Sequence, residues 1–132
     1  MHYKNPALTV DGVLFHNDSL LLIKRKNPPF KDCWALPGGF VEYGETTEHA
    51  IQREMKEETS LDTTITKLIG VYSDPNRDPR GHTISVVYVL QAKDMQPHAG
   101  DDAAQVRFFN ISALPPLAFD HEHIIRDAIT RR

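Results

Sequence analysis

Apolar residues recur with two different spacings along the chain, and each spacing predicts a different kind of element. Residues 8–15 and 20–25 are short apolar runs separated by a segment whose Asn and Asp favour a tight turn, so they predict a β-hairpin. Weak alternation over 65–72, a strong Val- and Ile-rich run over 83–92 and a short run over 106–109 predict further strands. The chain is therefore expected to contain a β-sheet.

Two segments have helical spacing instead. The segment 46–59 contains neither Gly nor Pro, and Thr46 is its predicted N-cap residue. Its narrow apolar stripe is formed by Ala50, Ile51 and Met55. A second helix is predicted near the C-terminus, with an inner face of four apolar residues: Ile124, Ile125, Ala128 and Ile129. Short strands around one central and one terminal helix predict an α/β domain with helices packed on a mixed sheet.

Composition narrows the class of protein. The 132 residues, with a mass of 15.0 kDa, fit one domain, 1–132. No segment approaches the roughly 20 apolar residues that span a bilayer, and the first residues lack the pattern of a signal peptide, so a soluble, cytoplasmic protein is expected. A net charge of −3 and a pI near 6.1 argue against nucleic-acid binding. Cys33 is the only cysteine and is interpreted as a small packing residue.

The excess negative charge lies in one predicted helical segment. Residues 45–58 hold five acids and two bases, which accounts for the whole net charge of −3. Glu54, Glu57 and Glu58 stand at positions i, i+3 and i+4, so their carboxylates project from one helix face. Oxygen ligands suit Mg²⁺ or Mn²⁺, and the lack of His and Cys in the cluster argues against zinc. The alternative is a solvated helix face with ordinary salt bridges.

Arg53 is expected to orient one of these carboxylates. On a helix it can reach Glu57 at i+4, or it can lie back toward Glu45 near the helix start. Either pairing would hold a carboxylate in a fixed rotamer, so we assign Arg53 an orienting role in catalysis rather than a contact with substrate.

A longer pattern surrounds the glutamates. Residues 39–61 read Gly-Phe-Val-Glu-Tyr-Gly-Glu, seven further residues, and then Arg-Glu-Met-Lys-Glu-Glu-Thr-Ser-Leu. This pattern resembles the Nudix box, G-x5-E-x7-R-E-U-x-E-E-x-G-U, in which U is a bulky aliphatic residue. Every fixed position agrees except Ser60, which stands where the family has its second glycine. A non-glycine residue in a left-handed conformation there costs on the order of 1 kcal/mol but removes no ligand.

The resemblance implies a Nudix hydrolase, an α/β/α sandwich with a mixed central sheet that splits nucleoside diphosphates linked to another moiety. It implies Mg²⁺, with Mn²⁺ as the alternative ion. The implied metal ligands are three carboxylates and a backbone carbonyl of the glycine loop, and we assign them as Glu54, Glu57, Glu58 and Gly38. Gly39, beside them, is assigned to substrate binding. For the general base, Glu57 is the first choice and Asp102 the second, although the pair 101–102 is equally typical of a turn.

Two segments outside the box resemble the ADP-ribose pyrophosphatase branch of the family: the loop 74–82 and the segment 114–121. Within the loop, Arg77 and Arg80 are expected to bind a terminal phosphate, with capping of the sheet edge as the alternative. Five aromatic residues are candidates for an adenine slot, although most aromatics in a small domain pack in the core: Phe30, Trp34, Tyr72, Phe108 and Phe119.

Two weaker patterns are interpreted as surface features. His121 and His123 are too few for a metal site and predict solvent-facing imidazoles at a helix start. The basic run 24–26 is interpreted as the polar end of a strand, with phosphate binding as the alternative.

These features favour one function and leave two alternatives. The first is hydrolysis of ADP-ribose to AMP and ribose 5-phosphate, as the resemblance implies. The second is hydrolysis of a nucleoside triphosphate, against which the loop 74–82 argues, and the third is an ADP-ribose sensor without catalysis. The expected partner is a small nucleotide substrate rather than nucleic acid or membrane, and the oligomeric state is left open between a monomer and a homodimer.

Overall fold

The structure, a computed structural model, describes residues 4–100 and 103–132, which contain seven strands and two helices. In chain order these are β1 Ala7–His16, β2 Ser19–Arg25, β3 Trp34–Ala35, β4 Gly38–Phe40, α1 Thr47–Thr59, β5 Thr64–Tyr72, β6 Thr83–Gln91, β7 Ala103–Asn110 and α2 His121–Thr130. Neither helix of the described chain is long and apolar enough to cross a membrane.

β1 lies inside the sheet and pairs with three other strands. It runs parallel to β6, in a register that begins at Ala7↔Thr83, and antiparallel to β2 and β4. β5 continues the sheet beyond β6, while β2 also pairs with β3 and β7. The sheet is mixed, as the sequence predicts, and the pairing of β1 with β4 places Gly38 opposite Asp11.

Each face of the sheet is covered by one helix. Along β6, Val87 and Val89 belong to the core cluster of α2, whereas Tyr88 and Leu90 belong to that of α1. Because successive side chains point to opposite faces of a strand, the two clusters lie on opposite sides of the sheet. The predicted α/β/α sandwich is confirmed. Burial on both faces also explains why the inner strands have continuous apolar runs.

The predicted strands and helices are present, with small shifts at their ends. Thr46 caps α1 as predicted, because its Oγ1 accepts a hydrogen bond from the amide of His49 at 3.1 Å. Ser60 ends the helix in the left-handed conformation, with φ of 65°. The sequence did not predict β3 and β4, because strands of two and three residues are too short to show a period.

The structure corrects one interpretation of the histidine pair at the start of α2. His123 is exposed, as expected, but His121 is only 4% exposed, so the solvent-facing assignment for His121 is wrong. The side chain of His121 turns inward, where its Nδ1 accepts a hydrogen bond from the amide of Leu36.

Candidate active site

A cavity of about 500 Å³ lies where β4, α1 and the loop before β6 meet the start of α2. Its wall includes the glutamates at positions 54, 57 and 58 together with five basic side chains: Arg25, Lys26, Arg53, Arg77 and Arg80. The basic run 24–26, interpreted as a strand end, thus contributes two residues to the cavity wall. A cavity with carboxylates and cations on its wall suits a charged ligand that carries both anionic groups and a metal ion.

Arg53 connects the glutamates of the box to one another. Its Nε and Nη2 donate to the two carboxylate oxygens of Glu45 at 2.7 and 2.9 Å. Its Nη1 donates to Glu54 at 2.9 Å and to Glu57 at 3.2 Å, and Nη2 also donates to the carbonyl of Phe40. The hydrogen bonds that Glu45 accepts from Arg53 and from the amide of Glu42 lower its pKa to about 2. Both pairings considered for Arg53 are therefore made at once, which fits the orienting role.

Glu54 and Glu58 point into the protein rather than into solvent. Their exposed fractions are 12% and 5%, whereas that of Glu57 is 55%. Burial raises the pKa of Glu54 and raises that of Glu58 well above its usual range, and the charges of Glu54 and Asp11 raise the Glu58 pKa further. An ordinary solvated helix face does not account for the buried carboxylate of Glu58 beside the partly buried carboxylate of Glu54.

These carboxylates fit a divalent cation. Glu54 contacts the Arg53 guanidinium, yet the pKa values of both Glu54 and Glu58 remain raised, so a hard cation can supply further positive charge to their oxygen donors. Within the described residues, no three His, Cys, Asp or Glu side chains are already arranged as a group that could hold a metal ion. Mg²⁺ commonly takes only one or two protein carboxylates and fills its remaining positions with water and substrate phosphates, so an incomplete protein ligand set is compatible with it.

The glycine loop fits closely around the acids. The amide of Gly38 donates to Glu58 Oε1 at 2.8 Å, which holds this carboxylate beside the loop. A Cβ on Gly38 would lie 2.1 Å from the carbonyl oxygen of Val10, and a Cβ on Gly39 would lie 2.5 Å from Glu54 Oε1. The close approach of the β1 backbone therefore requires glycine at position 38, whereas a side chain at position 39 would displace the flexible carboxylate of Glu54.

The two arginines of the loop 74–82 have different environments. The Arg77 side chain is 5% exposed and donates three hydrogen bonds, two to Asp120 and one to Thr83. The Arg80 side chain is 45% exposed, and buried Asp78 accepts from its Nε and Nη2. Both line the cavity, but the Arg80 side chain is much more exposed than that of Arg77 and so is more accessible to a ligand.

The aromatic candidates divide into core and cavity residues. Trp34, Tyr72 and Phe108 pack in or against the two core clusters. Phe119 lines the cavity, with the guanidinium of Arg25 at 4.9 Å from its ring centre. Phe30 packs against Phe119, with ring centres 4.8 Å apart. These two are the predicted aromatics that remain near the cavity.

Sequence reasoning missed Asp11 and Phe40. Asp11 is buried in β1, accepts a short hydrogen bond from Ser85, and lines the cavity. An isolated acid within an apolar strand could have indicated it, since buried acids are rare without a partner. Phe40 directly follows the glycine loop, is about half exposed, and lies with its ring centre 5.6 Å from the Arg80 guanidinium.

Asp102 lies outside the described residues. The described segment before it packs on the C-terminal end of α1, where the amides of His98 and Gly100 donate to the carbonyls of Thr59 and Glu58 at 2.8 and 3.0 Å. These bonds satisfy carbonyls that a helix end leaves without an intrahelical partner.

Comparison with known proteins identifies the family to which the fold belongs. The sequence matches the NUDIX domain over residues 5–128. The chain belongs to the NUDIX family. It is 57% identical over 125 residues to the ADP-ribose pyrophosphatase of Methanocaldococcus jannaschii, a match that covers 95% of this chain and 74% of that protein.

Two solved NUDIX structures are similar over nearly the whole chain. The NUDIX domain of Shewanella oneidensis NrtR, complexed with ADP ribose, is 30% identical with a TM-score of 0.90, covering 98% of this chain and 90% of that one. A bifunctional NMN adenylyltransferase/ADP ribose pyrophosphatase from Francisella tularensis, complexed with AMP and a Mn ion, is 34% identical with a TM-score of 0.88. That match covers 98% of this chain but 42% of the Francisella chain, so it concerns a part of a larger protein.

Proposed function

We propose that this NUDIX protein hydrolyses the pyrophosphate bond of ADP-ribose and releases AMP and ribose 5-phosphate. The observation that carries the proposal is the pair of carboxylates of partly buried Glu54 and buried Glu58, which lie against the glycine loop at the wall of a cavity that also contains Arg25 and Arg80. The 57% identity to an ADP-ribose pyrophosphatase supports the choice of substrate.

The proposed metal site consists of Glu54, Glu57, Glu58 and the backbone of Gly38. NUDIX proteins generally use a divalent cation, and a Mn ion accompanies AMP in the Francisella relative. When bound here, Mg²⁺ or Mn²⁺ would neutralise phosphate oxygens and lower the pKa of a coordinated water. Arg53 holds Glu54 and Glu57 in fixed orientations, and Gly38 does the same for Glu58.

Glu57 is the proposed general base. Its carboxylate is more exposed than those of Glu54 and Glu58, so it can face a water molecule at the substrate. It takes a proton from the attacking water, a new oxygen–phosphorus bond forms, and the bond between phosphorus and the bridging oxygen breaks. General-base catalysis of this kind contributes typically ~10²–10⁴ in rate. Asp102 is the second candidate for the same proton transfer.

The proposed substrate-binding residues are Gly39, Arg77 and Arg80. A guanidinium held by Asp78 needs little ordering before it contacts a phosphate or a ribose hydroxyl, so Arg80 is the principal contact. Arg77 is proposed for the same wall of the cavity, but its three hydrogen bonds to Asp120 and Thr83 also make it structural.

A substrate panel tests the proposal. The panel contains ADP-ribose, other nucleotide sugars, NADH, dinucleoside polyphosphates and nucleoside triphosphates, each assayed with Mg²⁺ and with Mn²⁺. We expect selective release of AMP from ADP-ribose. Faster turnover of nucleoside triphosphates would favour the second hypothesis. Binding of ADP-ribose without turnover of any panel member would favour a sensor, a role supported by the ADP-ribose complex of the NrtR domain.

A further inference from the structure

His121 is a buried polar residue that the proposed chemistry does not use. Its Nδ1 accepts a hydrogen bond from the amide of Leu36 at 3.0 Å, so the proton of the neutral ring is on Nε2. That Nε2 lies 3.6 Å from Asp11 Oδ1. Burial lowers the pKa of His121, which favours the neutral ring that this arrangement needs.

The hydrogen bond from the Leu36 amide to His121 completes a short ladder of hydrogen bonds between residues 34–36 and residues 116–121. The amide of Trp34 donates to the carbonyl of Pro116 at 3.3 Å, and the amide of Ala118 donates to the carbonyl of Trp34 at 2.8 Å. In a parallel ladder every second residue donates its amide, so the next donor after Trp34 is Leu36. By that point the opposite segment has turned into α2. The side chain of His121 supplies the acceptor that the backbone no longer offers.

This ladder ends at the loop that holds Glu58. Pro37 has no N–H, and the next amide, that of Gly38, donates to Glu58 Oε1 at 2.8 Å. His121 therefore fixes one end of a three-residue segment whose other end holds a proposed metal ligand. The packing of Gly38 against the Val10 carbonyl allows that segment little freedom to adjust.

We propose that His121 is a positioning residue that sets the place of Glu58 through the backbone of residues 36–38. The role depends on a hydrogen-bond acceptor at the position of Nδ1, not on the charge of the ring. The inference rests on the proposed metal site, but its structural part can be measured without substrate.

The test compares two substitutions that differ in this acceptor. In His121→Asn the amide oxygen can take the place of Nδ1, whereas His121→Leu offers no acceptor. His123→Leu is the matched control, since it removes an exposed imidazole from the same helix. Amide hydrogen exchange of Leu36 and Gly38 is measured in the metal-free proteins, with the Val13 amide as the reference for global opening.

We expect exchange at Leu36 and Gly38 to be at least tenfold faster, relative to Val13, in His121→Leu. We also expect the dissociation constant for Mn²⁺ to rise at least fivefold and kcat for ADP-ribose to fall at least tenfold, with a smaller change in KM. His121→Asn should rescue all of these to within about threefold, and His123→Leu should match the wild type.

Equal losses in His121→Asn and His121→Leu, or unchanged Gly38 exchange in His121→Leu, would overturn the inference. If His121→Leu does not fold, His121→Gln replaces it, because its oxygen lies at the position of Nε2 and leaves Leu36 without an acceptor. If the wild type does not hydrolyse ADP-ribose but amide exchange and Mn²⁺ binding change in the His121 variants as expected, the proposed substrate is wrong and the positioning role of His121 is retained.

Discussion

Arg53 and Glu45 form a bidentate pair, with two hydrogen bonds of 2.7 and 2.9 Å between residues eight positions apart. Glu45 lies before α1 and Arg53 in its middle, so the pair ties the turn at the helix start to the face that carries the glutamates. The same guanidinium holds Glu54 and Glu57. Glu45 is thus linked through Arg53 to two carboxylates of the proposed metal site.

Arg53→Lys should lower kcat for ADP-ribose by at least ~10-fold while the protein stays folded. A lysine keeps the positive charge, but its ammonium group cannot replace the planar guanidinium that donates hydrogen bonds to three carboxylates at once. The control is Arg126→Lys on α2, where the arginine pairs with exposed Glu122. Steady-state kinetics with Mg²⁺ check this, and equal activity of the two variants would contradict the orienting role.

Glu57→Gln and Glu58→Gln should each lower turnover by at least ~100-fold, because each removes a charge from the proposed site. Glutamine at position 58 still offers an oxygen to the Gly38 amide. A loss of turnover in Glu58→Gln would therefore result from the missing charge rather than from a displaced glycine loop. Glu122→Gln, on the surface of α2, is the control. Near-normal turnover of both site variants with Mg²⁺ on ADP-ribose would reject the site assignment.

Arg80→Ala should raise KM for ADP-ribose more than KM for a simple nucleoside triphosphate. The reason is the exposed guanidinium that Asp78 holds at the cavity wall. Steady-state kinetics on both substrates measure this effect. Equal changes in both KM values for Arg80→Ala would indicate that Arg80 has a structural role.

Arg77→Ala should lower the free energy of unfolding by about 2–3 kcal/mol, since it leaves Asp120 without its partner. Urea unfolding measures this loss of stability.

Gly39→Ala and Gly44→Ala should have opposite consequences. A Cβ on Gly39 would collide with the flexible end of Glu54, so we expect at least a ~10-fold loss of kcat with little change in stability. Gly44 has φ of 85° and nothing near its Cβ position, so alanine should cost about 1 kcal/mol of stability and leave kcat unchanged. Loss of activity in both variants, or in neither, would be inconsistent with this geometry.

Acid should destabilise the protein in part through His121. Burial lowers the pKa of His121 in the folded state, so below the ordinary histidine pKa of about 6.5 the unfolded chain binds a proton that the folded protein does not. The contribution of neutral His121 to the free energy of unfolding is fully present above pH 6.5 and is lost as the pH falls through the folded-state pKa of His121. Urea unfolding between pH 8 and pH 5 should show a smaller fall for His121→Asn than for the wild type. An unchanged pH dependence would contradict the buried neutral ring, and His123→Asn is the exposed control.

Local spacing along α1 was sufficient to predict part of the site. Glu54, Glu57 and Glu58 share a helix face because the helical period places them there, and Arg53 lies within reach of its partners for the same reason. The sequence could not show that the Glu58 carboxylate is buried, because its surroundings include the loop at Gly38 and Asp11 of β1.

Contacts between distant parts of the chain explain what sequence reasoning missed. His121 meets Leu36 across 85 positions, and Asp11 meets Ser85 across 74, and neither separation leaves a local pattern. The interpretation of His121 as a surface residue was wrong because a histidine at a helix start carries no sign of what lies opposite it. Only the sheet order brings these side chains together.

The parallel pairing of β1 with β6 has a consequence for folding. It joins positions 7–14 to positions 83–90, so the chain must close a long loop before Asp11 can meet Ser85 beside the glycine loop. Closing such a loop costs conformational entropy before native contacts form and offset that cost in free energy. Proteins dominated by strand pairings between distant parts of the sequence therefore fold slowly. The cavity therefore cannot assemble on α1 and its preceding loop alone, and completion of the active site is expected to coincide with the late, cooperative step of folding.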